Sequence, residues 1–194
     1  MIDQRAIVFD VKKFSSKGSI ISLFAEGLGK VRCISSYSNM ISKSNFRAID
    51  LFYVGEISIE KDSKDRQLRK ISNHSLKKRW NSFSLCLEKL LIASFFLEIS
   101  DLLTEYDNFE DSLVFCLLFN YFENLESFCF EKNQIKRDEQ KVVLCSKFLE
   151  EIYALLGFGF FSDQKNLTQK FRLLERIKKI EEYRGKSIKT KQQF

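Results

Sequence analysis

The chain has 194 residues, of which 44% are hydrophobic, 14% aromatic and 30% charged, with a net charge of +6. This is a globular composition and it excludes a disordered or low-complexity chain. Its uncharged apolar-rich runs, such as Leu90 to Leu97, are far short of the roughly 20 residues that cross a bilayer, and Met1-Ile-Asp-Gln-Arg5 opens no signal-peptide pattern. A cytoplasmic protein with no membrane partner is the expectation.

The first ~70 residues read as β-structure, with strand propensity broken by Gly and polar clusters. Arg5–Val11 is a short β-prone run, followed by a Lys/Ser/Gly connection. Ser19–Phe24 and Lys30–Ile34 flank Glu26-Gly-Leu-Gly29, whose two glycines suit a hairpin turn. Asp50–Glu60 is the longest strand candidate, and Gly55 in its middle marks a bulge or a barrel corner. After the charged loop Lys61–Asp65, Gln67–Ser72 supplies a fifth strand. Five short strands in this length fit a small barrel of the OB type.

From about Ser75 the period becomes helical. Trp80, Phe83, Leu87, Leu90, Leu91, Ser94, Phe95 and Glu98 step at three- and four-residue intervals, and Leu85, Ile92 and Phe96 broaden the stripe. Asn108, with Asp111 three residues on, is placed to cap a helix through Leu113, Phe115, Leu118, Tyr121, Phe122 and Leu125. A third helix runs from about Glu139 to Leu156 and stops at Gly157. The last, Leu167–Tyr183, gathers Phe171, Leu174, Ile177 and Ile180 on one face. The fold class is therefore α+β. An OB-type barrel over 1–74 precedes an all-α domain over 75–183, and 184–194 reads as a frayed basic tail.

Little in the sequence carries catalytic chemistry. His74 is the only histidine, and Gly27-Leu-Gly-Lys30 is too short to cradle a nucleotide phosphate. The five cysteines, Cys33, Cys86, Cys116, Cys129 and Cys145, contain no Cys-x-x-Cys pair and read as buried reduced thiols. No metal or cofactor is expected. Asp107, Glu110 and Asp111 sit where a helix begins, which acidic residues favour; a metal-dependent nuclease built on them is a competing reading.

Charge is more informative. Residues 1–80 hold 16 Lys/Arg against 8 Asp/Glu, a net of +8; residues 81–157 hold 6 against 14, a net of −8; residues 158–194 hold 10 against 4, a net of +6. Such asymmetry suggests separate surfaces for separate partners. In the β-half, Lys12, Lys13 and Lys17 fall on the first connection, Lys30 and Arg32 on a strand, and Lys43 and Arg47 on the next loop. Phe14, Tyr37 and Phe46 lie among them and fit base stacking, although Phe14 and Phe46 fit a core equally well. Lys77-Lys78-Arg79-Trp80 is a second basic-aromatic cluster, whose tryptophan is better suited to anchoring a core.

The order of these features resembles the RecO family of bacterial recombination mediators. Ala6-Ile-Val8, Ile20-Ile-Ser-Leu-Phe24 and Gly29-Lys30-Val31 are similar to the family's opening strands. Leu51–Ser58 and Gln67–Ser72 are similar to its later barrel strands. Ala93–Asp101 and Leu113–Leu118 resemble the helices that follow, and Phe148–Phe158 resembles its "FEL…LLxxLGY" segment. The chain departs from the family at Ser15-Ser-Lys-Gly18 and at Ser35-Ser-Tyr-Ser38, and it has no cysteine beyond Cys145 to form a zinc knuckle. The resemblance implies a short, zinc-free, non-enzymatic member, cytoplasmic and nucleoid-associated. It further implies binding of single- and double-stranded DNA, strand annealing, and loading of a RecA-type recombinase on strands coated by single-strand-binding protein (SSB). RecR and the acidic SSB C-terminal tail are the implied protein partners. Lys170, Arg172, Arg176, Lys178 and Lys179 on the last helix are our placement for that tail. The alternative is a non-catalytic interaction scaffold without DNA binding, whose acidic middle docks a basic protein.

Overall fold

A computed structural model describes residues 1–15, 18–36, 49, 51–60, 68–158, 169–185 and 188, with backbone alone for residues 15, 36, 76, 110, 169–172, 183 and 184. The chain begins with a closed five-stranded barrel: β1 (Ile2–Ser15), β2 (Gly18–Ala25), β3 (Gly29–Ser36), β4 (Val54–Ile59) and β5 (Arg69–Lys78), in the order β1-β2-β3-β5-β4. This barrel and the helices after it agree with the expected α+β class and an OB-like barrel. β1 is the longest strand and closes the barrel by pairing with both β2 and β4. Alternating residues such as Ala6, Val8, Ile21, Leu23, Val31 and Ile57 turn inward and are fully buried.

The weak seam is between β3 and β5, which among the described residues pair in parallel only at Cys33–Arg69 and Ile34–Lys70. The rest of the β3 edge is covered by a segment from much later in the chain. Tyr106 forms a bridge with Lys30, and the Asp107 N–H donates to the Lys30 carbonyl at 2.8 Å. Gly29 makes this approach feasible: its φ is +68°, and an added Cβ would run into the Asn108 carbonyl oxygen.

Two compact units result, one of Met1–Arg79 with Thr104–Phe119, the other of Trp80–Leu103 with Asn120–Phe194. Among the described residues five helices follow the barrel: α1 (Asn81–Leu85), α2 (Leu87–Leu103), α3 (Leu113–Ser127), α4 (Gln134–Leu155) and α5 (Gln169–Arg184), with a 3₁₀ turn at Phe109–Ser112. The second unit has an aromatic core. Phe96 stacks on Phe148 at 4.3 Å, Tyr121 meets Phe148 edge-on at 5.0 Å, and Trp80 meets Phe122 edge-on at 4.8 Å. Trp80 is a core anchor, and its Nε1–H donates to Glu123 at 2.9 Å. Among the described residues, no helix is long and apolar enough to cross a membrane.

Several expectations are corrected. β5 runs through residue 74 to Lys78 and His74 is half-buried within it, so the barrel unit outruns the expected boundary and takes in residues 104–119. The polar run Ser72–Ser75 is a strand paired to β4, with register shifts that include one between Val54 and Gly55. On α2 the buried face is Ile92, Phe95, Phe96 and Ile99, whereas Leu87 and Leu90 are exposed, as is Leu85 at the end of α1. Both phases satisfy helical spacing, and the larger phenylalanines take the core. α4 starts at Gln134, earlier than Glu139, because Asn133 accepts the N–H groups of Ile135 and Lys136. On α5 Leu173, not Leu174, joins Ile177 and Ile180 inside. In the segment expected to fray, Ile188 is buried and its N–H donates to Glu181 at 2.7 Å. Cys33 and Cys145 are buried, but Cys116 and Cys129 are exposed.

Gly29→Ala is expected to lower stability by about 2–4 kcal/mol, combining backbone strain with displacement of Asn108. Gly157→Ala, at φ +74° with open space around it, should cost only about 1–2 kcal/mol. Urea unfolding of both variants tests this. Equal losses would mean that the Asn108 contact is not what excludes a side chain at residue 29.

Candidate nucleic-acid interface

Cross-strand neighbours share a face of the sheet, so the register locates the outer surface. Asp10 on β1, Ser22 on β2 and Arg32 on β3 form one row there. Lys12, Ile20, Ile34 and Lys70 form the next, a pair of half-buried isoleucines flanked by exposed lysines. Two irregularities in β1, between Val8 and Asp10 and between Lys13 and Ser15, decide what faces outward. The second leaves Phe14 as the extra residue, 61% exposed beside Lys12 and Lys13.

Tyr106 organises the first row. Its hydroxyl lies 3.2 Å from Ser22 Oγ, and its ring carries Arg32 at 4.3 Å and Lys30 at 4.4 Å from the centroid. Cation–π contacts of this kind contribute roughly 0.5–1 kcal/mol at exposed sites. Arg32 remains exposed. Lys12 is bound to Asp10 at 2.9 Å; that hydrogen bond holds the ammonium's pKa above its usual value, while nearby Arg32 pushes the other way. Lys12, Arg32, Asp10 and Tyr106 therefore share one patch, with cations and a carboxylate around an aromatic ring.

The expected DNA-binding residues divide. Lys12 and Arg32 come together, and Lys13 is exposed farther along β1. Lys30 is corrected: it is 4% exposed, and its ammonium donates to the Thr104 carbonyl at 3.3 Å beneath Tyr106, so it does not reach a phosphate. Lys17, Tyr37, Lys43 and Arg47, with Phe46, lie outside the described residues. Lys77, Lys78 and Arg79 sit at the far end of β5, seven or more residues from Lys70, which is roughly 23 Å along a strand. Lys77 there is paired with Glu56 at 3.1 Å.

On α5, the side chains of Lys170 and Arg172 lie outside the described set. Arg176 is largely covered and binds Glu150 at 2.7 Å, which corrects its reading as a cation open to an acidic tail. Lys178 and Lys179 are exposed, with Glu182 3.8 Å from Lys178. Sequence reasoning missed Tyr106, Ile20 and Ile34. Lys30 and Thr104 are 74 positions apart, and no local pattern announces such a contact.

The acidic cluster has structural duties. Asp107, at φ +60°, pairs with Arg69 at 2.9 Å, and Asp111 is buried and accepts the Glu105 N–H at 3.1 Å. Burial raises the pKa of Asp111, a rise opposed by that hydrogen bond. Burial also lifts the Cys33 thiol to about 12, well away from a reactive thiolate. Among the described residues, no group of His, Cys, Asp or Glu is arranged to hold a metal ion. Compared with known proteins, the chain matches no protein-family model, and no curated protein matches it.

Asp107→Asn keeps a residue tolerant of positive φ and removes the charge opposite Arg69. We expect a loss of about 1–2 kcal/mol at low salt, shrinking as salt rises. Urea unfolding at two ionic strengths measures it, and unchanged stability would remove the pair from the account of how the seam is held.

Proposed function

We propose that the chain is a non-enzymatic recombination mediator of the RecO type that binds DNA through the outer face of its barrel. In this reading it anneals complementary strands and assists loading of a RecA-type recombinase on SSB-coated strands, acting with RecR at the nucleoid. The observation that carries the reading is the patch formed by Arg32 on Tyr106, Lys12 beside them and exposed Phe14. Single strands bind where cations that hold phosphates alternate with aromatic and apolar surfaces that stack bases. Ile20 and Ile34, between Lys12 and Lys70, extend that surface across β2 and β3. Exposed Lys178 and Lys179 are the described cations of α5 best suited to an acidic SSB tail.

A second reading, the interaction scaffold, is favoured by one observation in the helical unit. Leu85, Leu87 and Ile135 are 85%, 66% and 71% exposed, and the chain on either side is tied by a Glu88–Arg137 pair at 2.8 Å. Exposed apolar side chains of this size suit a protein partner.

Fluorescence anisotropy of a labelled single-stranded oligonucleotide tests the proposal on the full chain, because residues 104–112 complete the barrel. Affinity should fall steeply with salt as counterions are released. Arg32→Gln should weaken binding and reduce the salt slope by about 1, and Phe14→Ala should cost about 1–3 kcal/mol of binding with the slope unchanged. Absence of binding at low salt would remove the DNA role and leave the scaffold reading. Magnesium-dependent cleavage would instead revive the nuclease.

A further inference from the structure

We infer that Asp10 makes the barrel's outer face discriminate between pyrimidine bases, accepting cytosine in preference to thymine. This rests on the reading of that face as a single-strand interface.

Asp10 owes its position to a bulge. Val8 faces the barrel interior, so strict alternation would send Phe9 outward and Asp10 inward. The irregularity between Val8 and Asp10 turns both outward: the Phe9 ring lies against Phe24 at 4.6 Å, and Asp10 joins the row of Ser22 and Arg32. Val11, next along, returns to packing against the core. An inserted residue that re-aims one side chain is a recurrent device near binding sites.

A carboxylate on a face that binds phosphates repels its ligand. The Lys12–Asp10 pair gives little in return, since the two side chains are 74% and 37% exposed and such pairs are worth close to nothing in stability. What Asp10 adds is an acceptor among donors. Arg32 and Lys12 only donate, and the Tyr106 hydroxyl, which donates to Ser22, is a weaker, neutral acceptor than a carboxylate. A base lying on this patch meets donors on one side and an acceptor on the other. Cytosine fits that pattern, offering its N4 amine to the carboxylate and its O2 and N3 acceptors to Arg32 or Lys12. Thymine has the O4 acceptor where cytosine has the amine, and its one donor on this edge, N3–H, reaches the carboxylate only with a carbonyl oxygen on either side of it, which is the poorer fit.

The test compares the full chain on oligo-dC and oligo-dT of equal length at one salt concentration, by fluorescence anisotropy. Both are pyrimidines of similar ring area, and oligo-dU, which lacks the thymine methyl, separates the exocyclic group from methyl contacts. The wild type should bind oligo-dC about fivefold or more tightly, the lower range for one base-edge contact. Asp10→Asn should bring the two affinities together, chiefly by improving oligo-dT. Equal wild-type affinities would overturn the inference while leaving the nucleic-acid interface standing. So would a variant that improves both oligonucleotides by the same factor, because Asp10 would then act only on phosphates. If neither oligonucleotide binds at low salt, it is the interface itself that fails, and the inference falls with it.

Discussion

The barrel depends on its narrowest seam, the parallel pairing of β3 with β5. Among the described residues this pairing reaches only two residue pairs, and beyond it the edge of β3 at Gly29–Arg32 would present unpaired backbone groups. Bare edges of this kind are costly to bury and invite pairing with other chains. The Tyr106–Asp107 backbone satisfies the edge, and three further contacts hold it there: Arg69 to Asp107, the Tyr106 hydroxyl to Ser22, and Lys30 to the Thr104 carbonyl. The same contacts decide the surface. Covering the edge takes Lys30 out of solvent and leaves Arg32 lying on the ring, so closure of the fold and shaping of the patch are one event.

Much of this architecture is legible locally. Glu26-Gly-Leu-Gly29 sits between alternating runs and makes the β2–β3 turn, and Gly55 lies at a shift of register. The change to a helical period, read at about Ser75 and found a few residues later, the stop at Gly157 and the aromatic helices follow from spacing and capping. What eluded sequence reasoning is non-local. Lys30 alternates outward on β3, as a phosphate-binding lysine would, and only the return of residues 104–108 buries it. The phase of α2 is ambiguous for a related reason. Leu87 and Leu90 fit a helical stripe as well as Phe95 and Phe96 do, and the choice is made by rings on α3 and α4. The expected fifth strand stops at Ser72 because Asn73 and Ser75 are turn-forming residues, although pairing to β4 satisfies their backbone.

The candidate site was half visible. Lys12, Arg32 and Phe14 are named by charge and aromaticity, but their grouping requires the register and two bulges that place Phe9 and Phe14 as extra residues in β1. Bulges leave no strong mark in a sequence that tolerates both parities. Tyr106 lacks any local cue, being one tyrosine in a short acidic connection between helices. Its role as platform comes from the seam that it closes.

Charge composition needs the same correction. A net of +8 over residues 1–80 suggests a wide cationic surface. Yet Arg5 is held by Glu26, Lys12 by Asp10, Arg69 by Asp107, Lys70 by Glu60 and Lys77 by Glu56. A cation that exchanges a carboxylate for a phosphate releases fewer counterions than one that was bare, so it adds less to the salt dependence of binding. In the proposed reading, phosphate affinity is concentrated on cations not paired with a described carboxylate, and Arg32 on Tyr106 is such a cation in the patch. The aromatic platform positions Arg32 without neutralising it, and the proposed function needs that: a small face on a moderately basic chain would attract a nucleic-acid backbone through cations held in this way.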